Sequence, residues 1–356
     1  MSLMIIKPGL YATVQDTGRP GLRHAGVAQG GAMDSYALQV ANLLVGNDRA
    51  AAGLELTLVG PTLLAEQDLL LALTGADMTP RLASGESVPM WRPIWLAAGE
   101  TLVLGRAAAG CRAYLAVAGG ILAPPQLGGR GTDVRARVGG LAGRPLAAGD
   151  ALPCLGAGEL APPAAALAAM LSQRARSQGR RMGMAAPAWY APPRAYGGAS
   201  ADGIELRAMP GAERGQFSEA ARAAFEREPF TVAPASDRMG LRLSGPILER
   251  LSRAELRSHG VAPGTVQVPP GGNPVVLAAD CQTTGGYPKL AQIASVDLPL
   301  LGQARPGDRI WFRTIALAQA QRLDLERERE LARLEQGIRL AASRGDEPDP
   351  GRAGGV

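Results

Sequence analysis

The sequence predicts a mainly β protein made of two strand-rich halves, with few helices and a helix near the C-terminus. Short apolar runs interrupted by Gly and Pro fill residues 5–104 and again residues 204–314, a spacing typical of β-barrels and sandwiches. An R-x-G-L-R-x-x-G pattern occurs at residues 19–26 and returns at residues 238–245. Residues 315–344 instead place Leu and Ala near helical spacing.

The first half is expected to span residues 4–154 and to contain one helix among its strands. Asp34 is a typical N-cap, Ser35–Leu44 form the helix body, and Gly46 followed by Asn47 ends it. If the repeated pattern reflects a duplication, the two halves are related and the first carries an insertion near residues 105–150. Chance similarity in an Arg- and Gly-rich chain is the alternative explanation of the repeat. The strands are predicted at Glu55–Val59, Leu69–Leu73, Ile94–Leu96, Thr101–Leu104 and Cys111–Val117.

The rest of the chain divides into four segments. Residues 155–203 are rich in Ala, Arg and Pro, which predicts a partly helical connection. Residues 204–314 form the second strand-rich half, with one short helix of its own. Residues 315–344 are expected to be a C-terminal helix, either with a solvated face or as an oligomerisation or partner helix. Residues 345–356 are expected to be disordered.

Composition narrows the function classes. The 356 residues carry a net charge of +5 and only 4% aromatic residues, which does not favour nucleic-acid binding. Three scattered cysteines and two histidines, His24 and His259, lack the spacing of a zinc site, so no metal is expected. No apolar run reaches about 18 residues, and Met1–Gln15 lacks a signal-peptide pattern. We therefore expect a cytoplasmic protein that binds neither membranes nor nucleic acid.

Several sequence motifs are absent, which argues against P-loop nucleotide binding, attached biotin and serine-nucleophile catalysis. The two lysines, Lys7 and Lys289, lie neither in a P-loop nor in a Met-Lys-Met sequence. Any nucleotide binding would therefore be of a non-P-loop type, and the chain does not carry its own biotin. No serine elbow is present, and neither histidine has an obvious nucleophile partner.

The densest group of polar residues follows the second-half strand Pro274–Ala278, in the loop 280–289. Its paired glycines let backbone amides approach a ligand closely. Such donors suit a ring amide, a ureido group or a carboxylate better than a hydride-transfer cofactor. The candidate residues are Gln267, on the preceding strand Thr265–Val268, and from the loop Asp280, Gln282, Thr283, Thr284, Gly285, Gly286, Tyr287 and Lys289.

A second group lies near the start of the chain. Asp16 and Arg19 flank a turn that places an acid and a base within reach of each other. Gly30 and Gly31 come just before the Asp34 cap, where backbone N–H groups at a helix N-terminus can receive an oxyanion. The alternative is that Asp34 only caps the helix and the glycines only turn the chain.

Two further groups involve isolated charges. Arg238 and Arg242 surround a glycine and could clamp a carboxylate or a phosphate, or else form structural salt bridges. Glu55 lies among apolar residues on a predicted strand, so it is either a functional carboxylate or the partner of a structural arginine.

Together, in order along residues 4–313, these groups resemble the biotin-dependent carboxyltransferase family. That family includes the C subunit of 5-oxoprolinase, the second allophanate-hydrolase-type subunit and the carboxyltransferase part of urea carboxylase. The chain departs from the family pattern at residues 128–133, where a Ser-containing turn is usual. The motifs that carry the resemblance are QDTGR (15–19), GGAMD (30–34), NLLVGN (42–47), LTGA (73–76), RAYLAVAGGI (112–121), DRMGLR (237–242) and DCQTTGGYP (280–288).

The resemblance implies two cyclophilin-like β-barrel subdomains and a heteromeric enzyme. The expected function is that of the C subunit in an ATP-dependent 5-oxoprolinase, which opens 5-oxoproline to L-glutamate together with a B subunit and an A subunit. ATP would bind at the level of the complex, either at a non-P-loop site on this chain or on another subunit. One alternative is carboxyl transfer from carboxybiotin, held on a separate carrier, to a urea-like nitrogen. The other is a non-catalytic regulator that binds its B-subunit homologue.

As a hypothesis, the 280–289 loop lines a small-molecule site that is completed by another subunit. Lys289, Asp280 and Thr284 are the expected catalytic residues, with Lys289 holding the substrate carboxylate or developing charge. Donors from the same loop would polarise the substrate carbonyl. The expected substrate-binding residues are Gln267, Gln282, Thr283, Gly285, Gly286, Tyr287, Arg238, Arg242, Asp16, Arg19, Gly30 and Gly31.

Overall fold

The computed structural model describes residues 2–177, 179, 182–193, 203–252 and 255–344. The predicted disordered tail, 345–356, lies outside these residues. The first part of the chain contributes eleven strands among the described residues: β1 (Ser2–Lys7), β2 (Tyr11–Gln15), β3 (Gly53–Thr57), β4 (Thr62–Ala65), β5 (Leu69–Asp77), β6 (Arg81–Leu82), β7 (Pro93–Leu96), β8 (Thr101–Val103), β9 (Ala109–Val117), β10 (Ala151–Pro153) and β11 (Met184–Ala185).

The second part adds nine strands within the same ranges, and five α-helices are described in all. The strands are β12 (Ile204–Pro210), β13 (Phe230–Val232), β14 (Gly240–Ser244), β15 (His259–Gly260), β16 (Thr265–Gln267), β17 (Val275–Leu277), β18 (Thr284–Gly285), β19 (Lys289–Ile293) and β20 (Arg309–Thr314). The helices are α1 (Ser35–Leu44), α2 (Pro162–Ser177), α3 (Glu219–Arg227), α4 (Leu298–Gln303) and α5 (Leu317–Arg344).

The first half consists of two sheets that enclose one core. One sheet has the order β10-β1-β4-β8-β6 and the other β11-β7-β5-β9-β3-β2. Leu3 and Leu63 from the first sheet pack in the same buried cluster as Leu54, Leu73 and Leu115 from the second. These leucines share a core because alternate residues of a strand face the same side of its sheet.

The second half is a closed barrel with the strand order β12-β19-β16-β17-β14-β13-β20. Helix α3 contributes Phe225, whose ring stacks on Phe312 of β20 with centroids 4.3 Å apart. The predicted fold class is therefore confirmed: the protein is mainly β, with barrel architecture and a C-terminal helix.

Helices cover the outer face of the six-stranded sheet. Leu331 and Ile338 of α5 are buried in the same cluster as Leu38 of α1 and Leu171 of α2. The Tyr36 hydroxyl also donates to Glu330 at 2.7 Å. The C-terminal helix therefore packs one face on its own chain. No helix within the described ranges is both long enough and apolar enough to cross a bilayer.

The predicted insertion near residues 105–150 corresponds partly to an arm, here defined as residues 122–145. In the arm the chain forms turns and isolated bridges, such as Asp133 with Val138 and Leu141 with Arg144. Leu127, Arg137 and Ala142 have positive φ angles of 53°, 56° and 57°. Such φ values are costly for residues other than glycine, so surrounding contacts must hold the arm in place.

Candidate active site between the two halves

A polar surface on three neighbouring strands of the first half forms the base of the site. Strands β2, β3 and β9 pair so that Tyr11 lies beside Thr57 and Thr57 beside Arg112. Two residues along each strand, and so on the same face, Glu55 pairs with Thr13 and with Tyr114. Residues directly opposite each other on paired strands share a face, so these side chains lie on one surface.

Glu55 is the buried centre of this surface, with 1% of its area exposed. Its Oε2 accepts hydrogen bonds from the Met33 amide and from the Tyr114 hydroxyl, both at 2.8 Å. Its Oε1 accepts from Arg238 Nη1 at 2.5 Å and lies 3.5 Å from Arg112 Nε. Burial alone would raise the pKa of Glu55, but Arg238, Arg112 and these donors lower it overall. Glu55 is therefore a structural anion.

Arg238 joins the second half to this surface. Its Nε and Nη2 donate to the two oxygens of Asp280 at 2.7 and 2.8 Å, a bidentate pair. Its Nη2 also donates to the Gly31 carbonyl at 2.7 Å. Arg238 is 8% exposed and its donors are occupied by protein. The buried carboxylates keep the pKa of Arg238 well above its usual value, despite desolvation.

Asp280 differs from Glu55 although both bind Arg238. Burial raises the pKa of Asp280 above its usual range, and Arg238 offsets this only in part. Glu55 has additional donors in Met33 and Tyr114, whereas the side-chain donors to Asp280 come from Arg238. A buried carboxylate with a raised pKa that also reaches a cavity is a candidate acid or base.

Asp280 lines a cavity of about 350 Å³, here called the interhalf cavity. Both halves and the arm contribute to its walls. Burial raises the pKa of the Tyr11 phenol in this cavity, so the hydroxyl remains a hydrogen-bond donor. The residues that bear charged or hydroxyl groups here are Tyr11, Thr57, Arg112, Arg135, Ser236, Asp237, Arg238 and Asp280.

A second cavity, of about 240 Å³, is lined in part by Gly30. Its polar lining is neutral and includes Thr17, Gln29, Ser35 and Gln39. A side chain on Gly30 would lie 3.7 Å from both Arg19 Nη1 and Asp280 Oδ1. Gly30 also adopts φ = 64° and donates its amide to the Ala279 carbonyl at 3.0 Å. Gly30 therefore lies beside Asp280 at the start of the 280–289 loop.

Asp16 and Arg19, expected to bind substrate, instead hold the arm. Asp16 accepts from the Gly18 amide at 2.7 Å and from the Arg130 amide at 2.5 Å. Arg19 donates from Nε to the Gln126 carbonyl at 3.1 Å and from Nη2 to the Gly131 carbonyl at 2.7 Å. Both side chains are buried. Their polar atoms are largely engaged by the backbone, so we assign them a positioning role.

The expected clamp of Arg238 and Arg242 does not form. Arg238 precedes β14 and is buried against carboxylates, whereas the Arg242 side chain is exposed on β14 itself. The spacing of four residues would align two arginines on a helix. In a turn followed by a strand it does not, and the prediction of a shared anion clamp is wrong.

Lys289 lies in a different contact group from Asp280. Its ammonium group donates to His259 Nε2 and lies 3.8 Å from Glu213 Oε2. Burial lowers the pKa of Lys289. The strand β18, which contains Thr284, pairs with β15, which contains His259. Neither Lys289 nor Thr284 lines the two cavities above, so the structure does not bring these expected catalytic residues together with Asp280.

The other candidate residues of the 280–289 loop and its neighbouring strand contact protein atoms. A side chain on Gly285 would lie 2.6 Å from Gln267 Nε2, so this glycine permits close packing. Gln267 donates to the Tyr287 carbonyl at 3.4 Å. Tyr287 is 48% exposed. The backbone carbonyls of Gln282 and Thr283 accept from Arg23 and Val261, while Gly286 and Gly31 approach backbone atoms closely.

Several residues at the site were not among the sequence candidates. Arg112, Tyr114 and Tyr11 come from strands whose alternation of polar and apolar residues marks one polar face. Gln303 of α4 donates to Asp34 Oδ2 and to the Arg112 carbonyl, both at 2.8 Å. Alternation could have identified the strand residues, whereas the contacts of Gln303 with residues some 190 to 270 positions away have no local signal.

We expect Tyr114→Phe to lower the free energy of unfolding by about 1–3 kcal/mol, because it leaves buried partners without a hydrogen bond. The Tyr114 hydroxyl donates to Glu55 and accepts from the Asp34 amide, both at 2.8 Å. Urea denaturation measures the change. Tyr190→Phe, at a residue 58% exposed, is the control and should change stability little. Equal effects of the two substitutions would refute a structural role for this hydroxyl.

The amino-acid sequence of the chain is similar to those of several known proteins. The family model "Carboxyltransferase domain, subdomain A and B" matches residues 25–314. The chain is 40% identical to the 5-oxoprolinase C subunit of Escherichia coli over 93% of its length and 97% of that protein. It is 37% identical to the 5-oxoprolinase C subunit of Haemophilus influenzae, over 88% of this chain and 91% of that protein.

Solved structures agree in fold. TTHA0988 matches with a TM-score of 0.71 and 36% identity over 88% of this chain, which spans 55% of that longer protein. The Kluyveromyces lactis urea amidolyase matches with a TM-score of 0.80 and 27% identity over 94% of this chain, which spans 20% of that protein. The similarity to these structures therefore covers nearly all of this chain but only part of each longer one.

Proposed function

The chain belongs to the carboxyltransferase domain family of subdomains A and B, and from this membership we propose that it is the C subunit of a 5-oxoprolinase. The complex would open 5-oxoproline to L-glutamate with hydrolysis of ATP. The observation that carries the proposal is the 40% identity to a 5-oxoprolinase C subunit across 97% of that relative.

The interhalf cavity is the proposed substrate site. Asp280 lies in its wall with a raised pKa, and Arg238 fixes the orientation of the carboxylate through two hydrogen bonds. An ionised Asp280 can accept the N–H proton of a cyclic amide and become the neutral acid. The Tyr11 hydroxyl is available in the same cavity as a donor to the substrate.

The rest of the reaction is assigned to partner subunits. A small cyclic amide fits the mixture of donors and acceptors in the interhalf cavity, whereas the chain has no P-loop to hold ATP. We propose that ATP binds on another subunit of the complex, and that a B subunit and an A subunit complete the enzyme. A cytoplasmic location is part of the same proposal, in keeping with three free, buried cysteines.

A second candidate function is carboxyl transfer from carboxybiotin on a separate carrier to a urea-like nitrogen. The observation in its favour is the TM-score of 0.80 with the urea amidolyase. The higher sequence identity and the nearly complete coverage of the 5-oxoprolinase relatives lead us to prefer the first function.

We expect ATP hydrolysis by a complex reconstituted from this chain with A and B subunits to depend on 5-oxoproline and to yield glutamate. The measurement is glutamate formation, with and without this chain. Urea in place of 5-oxoproline serves as the control and should give no turnover. Turnover without this chain, or turnover of urea together with carboxybiotin, would refute the proposed function.

A further inference from the structure

Arg135 is an exposed cation at the interhalf cavity. It lies in the arm, its side chain is exposed, and it lines the cavity. Among the residues that the structure describes, no carboxylate or hydrogen-bond acceptor engages its guanidinium group. By contrast, Arg238 in the same cavity is shared by Glu55 and Asp280.

Arg112 supplies a second guanidinium deeper in the cavity. Its side chain is over nine-tenths buried, and its Nη1 donates to the Gly302 carbonyl. Its buried Nε lies 3.5 Å from Glu55 but has no hydrogen-bond partner. Within the described part of the chain, Nη2 also has no partner. Arg112 is thus a buried arginine with unused hydrogen-bonding capacity in a cavity wall.

The backbone that presents Arg135 is fixed from several sides. Asp133 Oδ1 accepts from the Arg135 amide at 3.0 Å and from the Ala136 amide at 2.9 Å. Nearer the base of the arm, Asp16 and Arg19 bind the backbone of residues 126–131. The arm therefore presents Arg135 from a held backbone, which lowers the entropic cost of binding a ligand there.

We propose that Arg135 and Arg112 bind the carboxylate of the substrate in the interhalf cavity, with its ring amide toward Asp280. This assignment rests on the proposed function, because it takes 5-oxoproline as the substrate. The ligand class is a small cyclic amide with one carboxylate. A polyphosphate is disfavoured, because Asp237 and Asp280 also line the cavity and would repel several negative charges.

This assignment replaces the expectation that Lys289 holds the carboxylate. Lys289 already donates to His259 and lies 3.8 Å from Glu213. Arginine also suits the role better, since its planar fork matches a carboxylate with two parallel hydrogen bonds.

Arg135→Ala in the reconstituted complex tests the assignment. We expect the KM for 5-oxoproline to rise about tenfold while kcat changes less, because the substitution removes a charge-assisted hydrogen bond to a non-reacting group. Arg137→Ala is the matched control, since Arg137 is exposed in the same arm but does not line the cavity. An Arg135→Ala KM equal to that of Arg137→Ala would overturn the assignment.

Calorimetry on the full chain in the complex separates this assignment from the proposed function. We expect 5-oxoproline to bind more tightly than 5-oxoprolinamide, which lacks the carboxylate, and Arg135→Ala to weaken that preference, because Arg112 alone then holds the carboxylate. A complex that binds 5-oxoproline with this preference but does not turn it over would refute the proposed function and leave the carboxylate site standing. Equal binding of the acid and its amide by the unsubstituted complex would overturn the site.

Discussion

Arg238→Met is expected to lower the free energy of unfolding by about 3–5 kcal/mol, because removing one partner of a buried ion pair leaves an uncompensated charge. Here the substitution would strand two carboxylates, Glu55 with 1% exposure and Asp280 at the cavity wall. It would also remove the hydrogen bond from Arg238 to the Gly31 carbonyl, a contact between the halves. Urea denaturation followed by circular dichroism measures the loss.

Arg242→Met is the matched control for that experiment. Arg242 lies in the same half and the same sequence motif, but its side chain is exposed, so we expect a change within about 0.5 kcal/mol. If Arg238→Met also changed stability by less than about 1 kcal/mol, far below the cost of stranding buried charges, Arg238 would not be the link between the halves described above.

Asp280→Asn is expected to lower kcat of the reconstituted complex by about 100- to 10,000-fold, the range typical of losing a general acid or base. The amide has nearly the shape of the carboxylate but does not take up a proton. Arg238 would keep an acceptor at this position, although it would lose the charge it pairs with. The control is Asp48→Asn at an exposed residue whose side chain accepts a hydrogen bond from the Ala50 amide.

The pH dependence gives an independent check on the role of Asp280. A base acts in its ionised form, and burial raises the pKa of Asp280 above the usual aspartate range. The value of kcat/KM should therefore fall as the pH drops through this raised pKa. In the Asp280→Asn complex, the fall of kcat/KM on the acid side of the pH profile should disappear. An unchanged kcat, or an unchanged acid limb in the variant, would show that Asp280 does not transfer the proton.

The fold could be predicted to a large extent because its signals are local. Gly and Pro between short apolar runs indicated strands in both halves. Asp34 marked the start of helix α1, and its Oδ1 accepts a hydrogen bond from the Ala37 amide at 2.9 Å. The resemblance of motifs then implied a barrel architecture, and the second half is a closed barrel. Local sequence did not indicate that the first half is divided between two sheets.

The site was harder to predict, because its residues meet across long sequence separations. Arg238 contacts Glu55 from 183 positions away, and Arg19 holds a carbonyl 112 positions away. Polar residues at the ends of strands, such as Asp16 after β2 and Lys289 at the start of β19, look like ligand contacts in the sequence whether they face a cavity or a backbone. Their roles depend on which partners the folded chain brings to them.

A crystal structure of the complex with bound 5-oxoproline would test the central claim most directly. We expect density for the ligand in the interhalf cavity, with the ring amide beside Asp280 and the carboxylate between Arg112 and Arg135. Density beside Lys289 and His259, or only on another subunit, would contradict the assignment of the site to the cavity between the two halves.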